Sequence, residues 1–246
     1  MGPLSCTRGG REKILDGELF SRHSVSIVVA QILVNLCGVH MEKGKLITFE
    51  GIDGCGKSLM LKKLGRWLLR RGCLVTTTFE PGGSQMGQAI RKLLLDSSYG
   101  SIDDRTEALL YAADRANHCA ALIQPELDAG KIVLCDRFVD STLAYQGYGR
   151  GLDLRTLRAL QDFATGHVRP DRTIYLRLPV AVACSRLKGK KDRLEQEDQA
   201  FFQRVADGYD RLAAREKSRF VVINSDRGIE QVFSDVIRAV LPLLRD

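Results

Sequence analysis

The sequence lacks paired cysteines, which argues against a disulfide-linked domain and against a structural zinc domain. Its seven cysteines are odd in number and scattered, and no two are separated by only two residues. A disulfide framework uses an even set of cysteines, and a structural zinc site uses ligand pairs close in sequence. We therefore expect free thiols and a protein of the reducing cytoplasm.

Long hydrophobic runs are also absent. The apolar stretch from Val25 to Val39 is broken by Gln31 and Asn35, and it is shorter than the ~20 apolar residues that a membrane-spanning helix needs. Acidic residues precede this stretch and no clear cleavage site follows it, which argues against a signal peptide. We expect no membrane association.

Repeats, low-complexity tracts and linkers are absent after Lys45. The chain has 246 residues, 44% of them hydrophobic, which is enough for one α/β domain with a sizeable core. Residues 1–40 differ in their polar, mixed-charge opening, and we interpret them as an N-terminal extension that need not belong to the native product. The predicted domain spans residues 41–246, with Met41 as its start.

A net charge of +7 indicates anionic partners. Nucleic acid, an acidic membrane and a small substrate rich in phosphate would all suit it, so the motifs must decide among them. No separate basic and aromatic surface or second ATPase module is evident, which argues against a nucleic-acid-dependent ATPase.

The strongest motif is a phosphate-binding loop. Residues 51–58 match the pattern G-x-x-x-x-G-K-[ST], after a β-rich run at Leu46 to Glu50 and before a predicted helix from Leu59 to Arg71. Glycines let backbone N–H groups turn toward phosphate oxygens, and the helix N-terminus adds partial positive charge. The predicted ATP-binding residues are Gly51, Ile52, Asp53, Gly54, Cys55, Gly56, Lys57 and Ser58.

The rest of the chain alternates strands with helices. Strands are predicted near 46–50, 73–79, 132–135, 173–178 and 220–223, which favours a parallel sheet flanked by helices in an α/β fold. A basic segment at about 186–196 precedes a helix predicted from Glu197, and we interpret it as a small lid inserted in the domain. Gly72 and Gly130 fall where helices should end.

Five further motifs follow the loop in order. They are Glu80-Pro-Gly-Gly83, Tyr111-Ala-Ala-Asp-Arg115, Asp136-Arg137, Ser141-Thr-Leu-Ala-Tyr-Gln-Gly147 and Asp192-Arg-Leu-Glu195. Together with the loop, these motifs closely resemble those of bacterial thymidylate kinases with a basic lid, and the resemblance runs from about Lys45 to the C-terminus.

This resemblance implies a P-loop fold of the nucleoside monophosphate kinase type that transfers the γ-phosphoryl group of ATP to dTMP, in dTTP synthesis. It also implies a Mg²⁺ cofactor and a homodimer without nucleic acid as a partner. Ser58 and Asp136 are the expected metal ligands. The predicted dTMP-binding residues are Asp53, Glu80, Arg91, Tyr111, Arg115, Arg137, Thr142, Tyr145 and Gln146.

The resemblance also implies individual roles for these side chains. Asp53 would contact the sugar 3′-hydroxyl, Arg137 would bind the acceptor phosphate, and Arg115 would bond the carbonyl edge of thymine. Tyr145 would pack on the deoxyribose and crowd a 2′-hydroxyl. Arg91 would approach the phosphate, Tyr111 the base, and Thr142 and Gln146 the base or the phosphate.

The catalytic positive charge needs a separate source, because some thymidylate kinases carry an arginine inside the loop where this chain has Gly54 and Cys55. We predict Lys57, Arg186, Arg193 and Asp53 as the catalytic residues, since arginine binds phosphate oxygens in bidentate fashion. The family usually has arginine immediately before the Glu80 position, whereas this chain has Phe79. One expected charge near the phosphates is therefore missing.

Two alternatives remain open from the sequence. The chain could be a kinase for another deoxynucleotide or nucleoside, because the pocket assignments depend on resemblance. It could also be a nucleotide-binding regulator that has lost turnover, for which Phe79, Cys55 and the lysine-rich lid would be the signs.

Overall fold

The computed structural model describes residues 43–186 and 192–244. The expectations for the extension at 1–40 and for a start at Met41 lie outside these ranges, as do the lysines of the lid. No helix within the described ranges is both long and apolar enough to span a membrane.

The fold is built on a parallel sheet of five strands, as predicted. Its order is β2-β3-β1-β4-β5, so β1 lies in the middle and pairs with β3 on one side and β4 on the other. All five strands end within one residue of the predicted position, and four also start within one residue of it, whereas β2 starts two residues later than predicted. The strands are β1 Lys45–Glu50, β2 Val75–Phe79, β3 Ile132–Asp136, β4 Arg172–Arg177 and β5 Phe220–Asn224.

Helices cover the sheet and connect its strands. Residues 104–128 form one long helical segment, but a π-helical turn at Cys119–Ile123 interrupts it. Pro125 lacks the N–H that an α-helix would use there, so a change of hydrogen-bond register is expected. The helices are α1 Lys57–Leu69, α2 Gln85–Leu95, α3 Asp104–His118, α4 Gln124–Asp128, α5 Val139–Thr142, α6 Leu154–Thr165, α7 Val180–Arg186, α8 Gln199–Arg215 and α9 Ile229–Val240.

The core lies on both faces of the sheet. Neighbouring residues of β1 point to opposite sides: Ile47 belongs to the same buried cluster as Leu64 of α1 and Val236 of α9, whereas Leu46 belongs to a second cluster with Ile123 and Val133. This burial on both sides explains why residues 46–49 of β1 are apolar except for Thr48 and do not alternate with polar residues. The carboxyl end of β1 is thereby fixed at the centre of one sheet edge, where such folds bind ligands.

One buried ion pair joins the turn between α8 and β5 to α5. Both guanidinium nitrogens of Arg219 donate to the carboxylate of Asp140, at 2.6 and 2.7 Å, and Asp140 is completely buried. Arg219 also bonds the hydroxyl of Thr173 in β4 at 2.6 Å. Loss of the arginine would leave a buried carboxylate without its cation.

We expect Arg219→Ala to lower the free energy of unfolding by about 3–5 kcal/mol, because breaking a buried pair leaves an uncompensated charge. The matched control is Arg238→Ala, whose side chain is 74% exposed in its pair with Asp235 and which should cost at most about 1 kcal/mol. Urea denaturation of both variants measures this difference. Equal losses in the two variants would contradict it.

Candidate active site

The glycine-rich loop connects β1 to α1 at the central edge of the sheet. Gly51 and Gly54 adopt φ angles of +136° and +82°, a region that side-chain-bearing residues rarely occupy. An added Cβ at Gly51 would also lie 2.6 Å from the carbonyl oxygen of Leu176, and one at Gly54 would lie 2.6 Å from that of Ala183. The loop therefore needs glycine at both positions.

Lys57 lies inside this loop. Its ammonium group donates to the carbonyl oxygens of Gly51 and Ile52, at 3.0 and 3.1 Å, and it lies 3.7 Å from the carboxylate of Asp53. Only 6% of the residue is exposed, so a strong positive charge is concentrated at the loop. Its predicted contact with the phosphates of ATP stays a prediction.

Two of the predicted ATP-binding residues have side chains that point away from the loop cavity, so only their backbone could contact a nucleotide. The side chains of Ile52 and Cys55 are buried in the hydrophobic core below the loop. Burial raises the pKa of the Cys55 thiol, so it is a packing group and not a nucleophile at neutral pH.

Ser58 and Asp136 bring two oxygen atoms together beside the loop. The Ser58 hydroxyl donates to the carboxylate of Asp136 at 2.5 Å. This contact joins the first turn of α1 to the end of β3. Hydroxyl and carboxylate oxygens are suitable ligands for Mg²⁺, so the pair fits the predicted metal site.

Arg137 makes several polar contacts at this edge. Its guanidinium donates to Asp53 at 2.6 Å and to the hydroxyls of Tyr145 and Ser141, each at 3.1 Å. Burial alone would raise the pKa of Asp53, but the charges of Arg137 and Lys57 hold it well below its usual range. Asp53 is therefore a fixed anion.

Glu50 supports this arrangement from below. Its buried carboxylate accepts hydrogen bonds from the hydroxyls of Ser141 and Tyr209, at 2.6 and 2.9 Å, and from the backbone N–H of Phe138 at 2.8 Å. Burial and the neighbouring Asp140 raise its pKa to about 7. Ser141 thus links Arg137 to a carboxyl group that titrates near neutral pH.

Two adjoining cavities open at this edge. The first, the loop cavity, is lined by Lys57, Ser58, Asp136 and Arg186 among others. The second, the inner cavity, extends from the loop toward α3 and the segment after α5. Both cavities share the side chains of Asp53, Glu80, Arg91 and Arg137.

Most of the predicted acceptor residues line the inner cavity. Eight of the nine predicted side chains contribute to its wall, and two of them come from the π-helical segment Leu143–Gly149 that follows α5. These residues are Asp53, Glu80, Arg91, Tyr111, Arg137, Thr142, Tyr145 and Gln146.

Arg115 departs from its predicted role. It is 1% exposed, it does not line the inner cavity, and its guanidinium donates to Glu80 at 2.7 Å and to Thr142 at 2.9 Å. It also bonds Gln161 and the carbonyl oxygen of Phe138. Arg115 therefore holds two cavity residues in place instead of facing the base itself.

Glu80 is held from two sides by this buried network. One carboxylate oxygen bonds Arg115, and the other lies 2.9 Å from the Nδ1 atom of His118. Glu80, His118 and Cys135 are close enough to hold a metal ion. However, the second ring nitrogen of His118 bonds Thr78 at 2.7 Å, so the network is satisfied by the protein alone.

An arginine of the neighbouring helix lies beside Phe79, where the expected positive charge is missing. Phe79 ends β2 with 44% of its surface exposed, and the guanidinium of Arg91 lies 5.7 Å from the centre of its ring. Arg91 also donates to the carbonyl oxygen of Pro81 at 2.8 Å. An arginine thus lies at the boundary of the two cavities, although it comes from α2.

The two predicted lid arginines lie in different surroundings. Arg186 lines the loop cavity and pairs with Asp226 at 3.3 Å. Arg193 does not line the loop cavity within the described residues, because its guanidinium is bonded to Glu107 and to the carbonyl oxygen of Leu94. We predicted that Arg193 would contact the transferring phosphoryl group. In the structure it binds the buried carboxylate of Glu107 instead.

Sequence reasoning missed several residues of the site. Ser141 and Asp192 belong to motifs that we singled out, so their positions could have suggested them. Glu107 lies one helical turn before Tyr111, which places it on the same face of α3. For Glu50 and Gln161 the sequence carried no signal, because their partners come from distant segments.

Comparison with known proteins gives a consistent result. A family model described as thymidylate kinase matches residues 49–236. The thymidylate kinase of Exiguobacterium sibiricum is 44% identical over 204 residues, which cover 82% of this chain and 96% of that protein. That of Desulforudis audaxviator is 46% identical over 205 residues, with 82% and 93% covered.

A solved structure is also similar. The crystal structure of thymidylate kinase from Ehrlichia chaffeensis superposes with a TM-score of 0.66 at 33% identity. The match covers 80% of this chain and 99% of that one.

The raised pKa of Glu50 should make the free energy of unfolding depend on pH. Its folded-state pKa is raised from 4.5 to about 7, so the stability that its proton contributes is complete below pH 4.5 and is lost as the pH rises to about 7. We expect Glu50→Gln to flatten the fall in unfolding free energy over this interval, by up to about 1.4 kcal/mol per pH unit. Urea denaturation at pH 5, 6 and 7 measures the free energy of unfolding of the wild type and the variant. If this free energy falls equally with pH in both proteins, the raised pKa does not belong to Glu50.

Proposed function

The chain belongs to the thymidylate kinase family, and we propose that it transfers the γ-phosphoryl group of ATP to dTMP, giving ADP and dTDP for dTTP synthesis. The observation that carries this proposal is the shared boundary of the two cavities, which is formed by Asp53, Glu80, Arg91 and Arg137. A phosphoryl donor in the loop cavity and an acceptor in the inner cavity would meet there. The comparisons support neither a kinase for another nucleotide nor a regulator without turnover.

The donor side uses the loop. Backbone N–H groups of residues 51–58, the N-terminus of α1 and the Lys57 ammonium would bind the phosphates of ATP. Arg186, which lines the same cavity, would add positive charge from the start of the lid. Phosphoryl transfer needs mainly such positioning and charge stabilisation, because the protein forms no covalent bond to the group.

Mg²⁺ would be held by Ser58 and Asp136. Their oxygens already lie 2.5 Å apart beside the loop, and both residues line the loop cavity. The ion would supply neutralisation of the charge on the β- and γ-phosphates.

On the acceptor side, the two arginines at the boundary would bind the dTMP phosphate. One phosphate oxygen attacks the γ-phosphorus as the bond to the β–γ bridging oxygen breaks, and ADP leaves. Arg137 is fixed for this role by Asp53 and by the hydroxyls of Ser141 and Tyr145. Arg91 would be the second cation, in place of the arginine that Phe79 replaces.

The base would be selected by the orientation of one amide. The Nε2 atom of Gln146 donates to Glu107 at 2.8 Å, which leaves Oε1 of this cavity-lining side chain to accept from a ligand. Thymine and uracil carry a ring N–H donor on their pairing edge, whereas cytosine carries an acceptor there. Thr142 and Tyr111 would border the base, with Arg115 as a positioning residue behind Thr142.

We also propose a homodimer in the cytoplasm. Leu93, Leu109 and Phe163 are exposed large apolar side chains, and Phe163 is 85% exposed. They lie on α2, α3 and α6, which are neighbouring helices, so they suit an interface between two copies. The five cysteines within the described ranges are free thiols, which suits a reducing compartment.

We expect ADP release from ATP and Mg²⁺ to require dTMP. In a coupled assay, dUMP should support weaker turnover, and dCMP, dGMP and AMP should remain near the rate without acceptor. In dCMP and AMP, the ring nitrogen that faces Gln146 carries no proton and leaves a polar contact unpaired, which costs about 1–3 kcal/mol, or on the order of tenfold to 100-fold in kcat/KM.

Two controls separate chemistry from binding. Chelation of Mg²⁺ should abolish turnover, and Arg137→Ala should abolish it as well, whereas the remote Arg238→Ala should retain it. Turnover with another acceptor would overturn the base assignment and keep the mechanism. No turnover with any acceptor, in protein that binds ATP, would overturn the function.

The proposed interface predicts a change of assembly. The double variant Leu109→Glu/Phe163→Glu should place charges in an apolar contact and convert the dimer to a monomer, because an unpaired charge is costly to bury. Analytical ultracentrifugation at several concentrations measures the mass. A wild-type monomer, or a variant that remains a dimer, would show that this face is not the interface.

A further inference from the structure

Asp114 is a buried carboxylate that the proposed function leaves without a role. It lies in α3 directly before Arg115 and has no exposed surface. Its Oδ1 atom accepts a hydrogen bond from the backbone N–H of Gly82 at 3.0 Å. Its Oδ2 atom has no hydrogen-bond partner within the described residues. A carboxylate is costly to bury with so few donors, so its one bond to Gly82 requires an explanation.

The donor of this bond belongs to a peptide unit that has a second partner. The carbonyl oxygen of the same unit, on Pro81, accepts from the guanidinium of Arg91 at 2.8 Å. The unit between Pro81 and Gly82 is trans, so it is planar, and its N–H and C=O groups point in opposite directions. Asp114 thus holds one end of a rigid group whose other end orients Arg91.

The packing around this peptide unit leaves it little freedom. An added Cβ atom at Gly87, in the first turn of α2, would lie 2.2 Å from the Oδ1 atom of Asp114. One at Gly83 would lie 2.4 Å from the Nε2 atom of His118, which is one turn after Asp114 on the same face of α3. The turn from β2 to α2 is therefore in close contact with α3, and its position depends on the side chains of this face.

The electrostatics act in the same direction as the geometry. Burial and the charge of Glu80 raise the pKa of Asp114 to about 6, so its carboxyl group is ionised at about pH 8. Hydrogen bonds in series polarise one another. An anion that accepts from the N–H group of Gly82 therefore makes the carbonyl oxygen of Pro81 a stronger acceptor for the Arg91 guanidinium.

We propose that Asp114 is a positioning residue for the acceptor phosphate, which acts through the peptide unit between Pro81 and Gly82 to orient Arg91. This inference rests on the proposed function, in which Arg91 binds the phosphate of dTMP. Arg91 lines both cavities, whereas Asp114 is not among the described residues that line either of them. Asp114 therefore acts on the substrate through the guanidinium that it helps to orient, and its effect is specific to the phosphate.

The test compares two ligands that differ only in the phosphate. Calorimetry at about pH 8 measures the dissociation constants of thymidine and dTMP, and we call the ratio of the first to the second the phosphate factor. In Asp114→Ala the phosphate factor should fall by about fivefold to tenfold, because a hydrogen bond that orients a charged group is lost. The affinity for thymidine should stay within about twofold of the wild type. A merely structural role would weaken both ligands equally and leave the phosphate factor unchanged.

Matched variants make the test specific. Asn117→Ala removes another bond between α3 and the same turn, from the Ser84 hydroxyl at 2.8 Å, and it should keep the phosphate factor. Asp114→Asn should keep most of it, since an amide oxygen can still accept from Gly82. Arg91→Ala should lose it, and Asp114→Ala should have no further effect in that background. Asp114→Leu, which removes the acceptor at similar volume, is the second variant if Asp114→Ala does not fold.

Four outcomes would overturn the proposal. The first is an unchanged phosphate factor in Asp114→Ala, and the second is an equal loss in Asn117→Ala. The third is a loss in Asp114→Asn as large as in Asp114→Ala, and the fourth is a further loss from Asp114→Ala in the Arg91→Ala background. Failure of the function itself would be distinguishable, because the wild type would then show no dTMP-dependent release of ADP.

Discussion

The ion pair between Arg137 and Asp53 is the contact on which the site depends. Asp53 belongs to the loop after β1, and Arg137 directly follows β3, so the pair joins two adjacent parallel strands at the edge where both end. Arg137 has a φ angle of +70°, which is uncommon for a residue with a side chain. The several hydrogen bonds of its guanidinium hold it in that conformation, and they also fix Tyr145 and the loop.

Three buried glutamates each orient one part of the inner cavity. Glu50 binds Ser141, Glu80 binds Arg115 and through it Thr142, and Glu107 binds Gln146. A carboxylate inside a protein is costly unless several donors surround it, and each of these has at least two. Each donor that binds such a carboxylate is fixed in position by it. The hydrogen bonds that a buried carboxylate requires therefore hold the site in one geometry before a ligand binds.

The parts of this protein that sequence reasoning predicted well are local in the chain. Residues 51–58 form a loop from consecutive residues, and the strands and the long helix of α3 follow from composition and turn residues. Arg115 and Arg193 were harder, because their guanidinium groups bind carboxylates 35 and 86 residues away. A motif shows which residues lie on one face of a helix, but not which distant acid a long side chain will reach.

Phe79 lies where an arginine is usual in the family, and Arg91 brings positive charge to the same part of the site from another element. Charge stabilisation of a transferring phosphoryl group depends on where the positive charge lies. The position in the chain of the residue that carries this charge matters less. Arg91 comes from α2 and reaches the boundary of both cavities across the ring of Phe79. The guanidinium of Arg91 packs against the ring of Phe79, and its hydrogen bond to the carbonyl oxygen of Pro81 fixes its orientation. A substitution that removes a charge from the sequence motif therefore leaves an arginine at the boundary where the two substrates would meet.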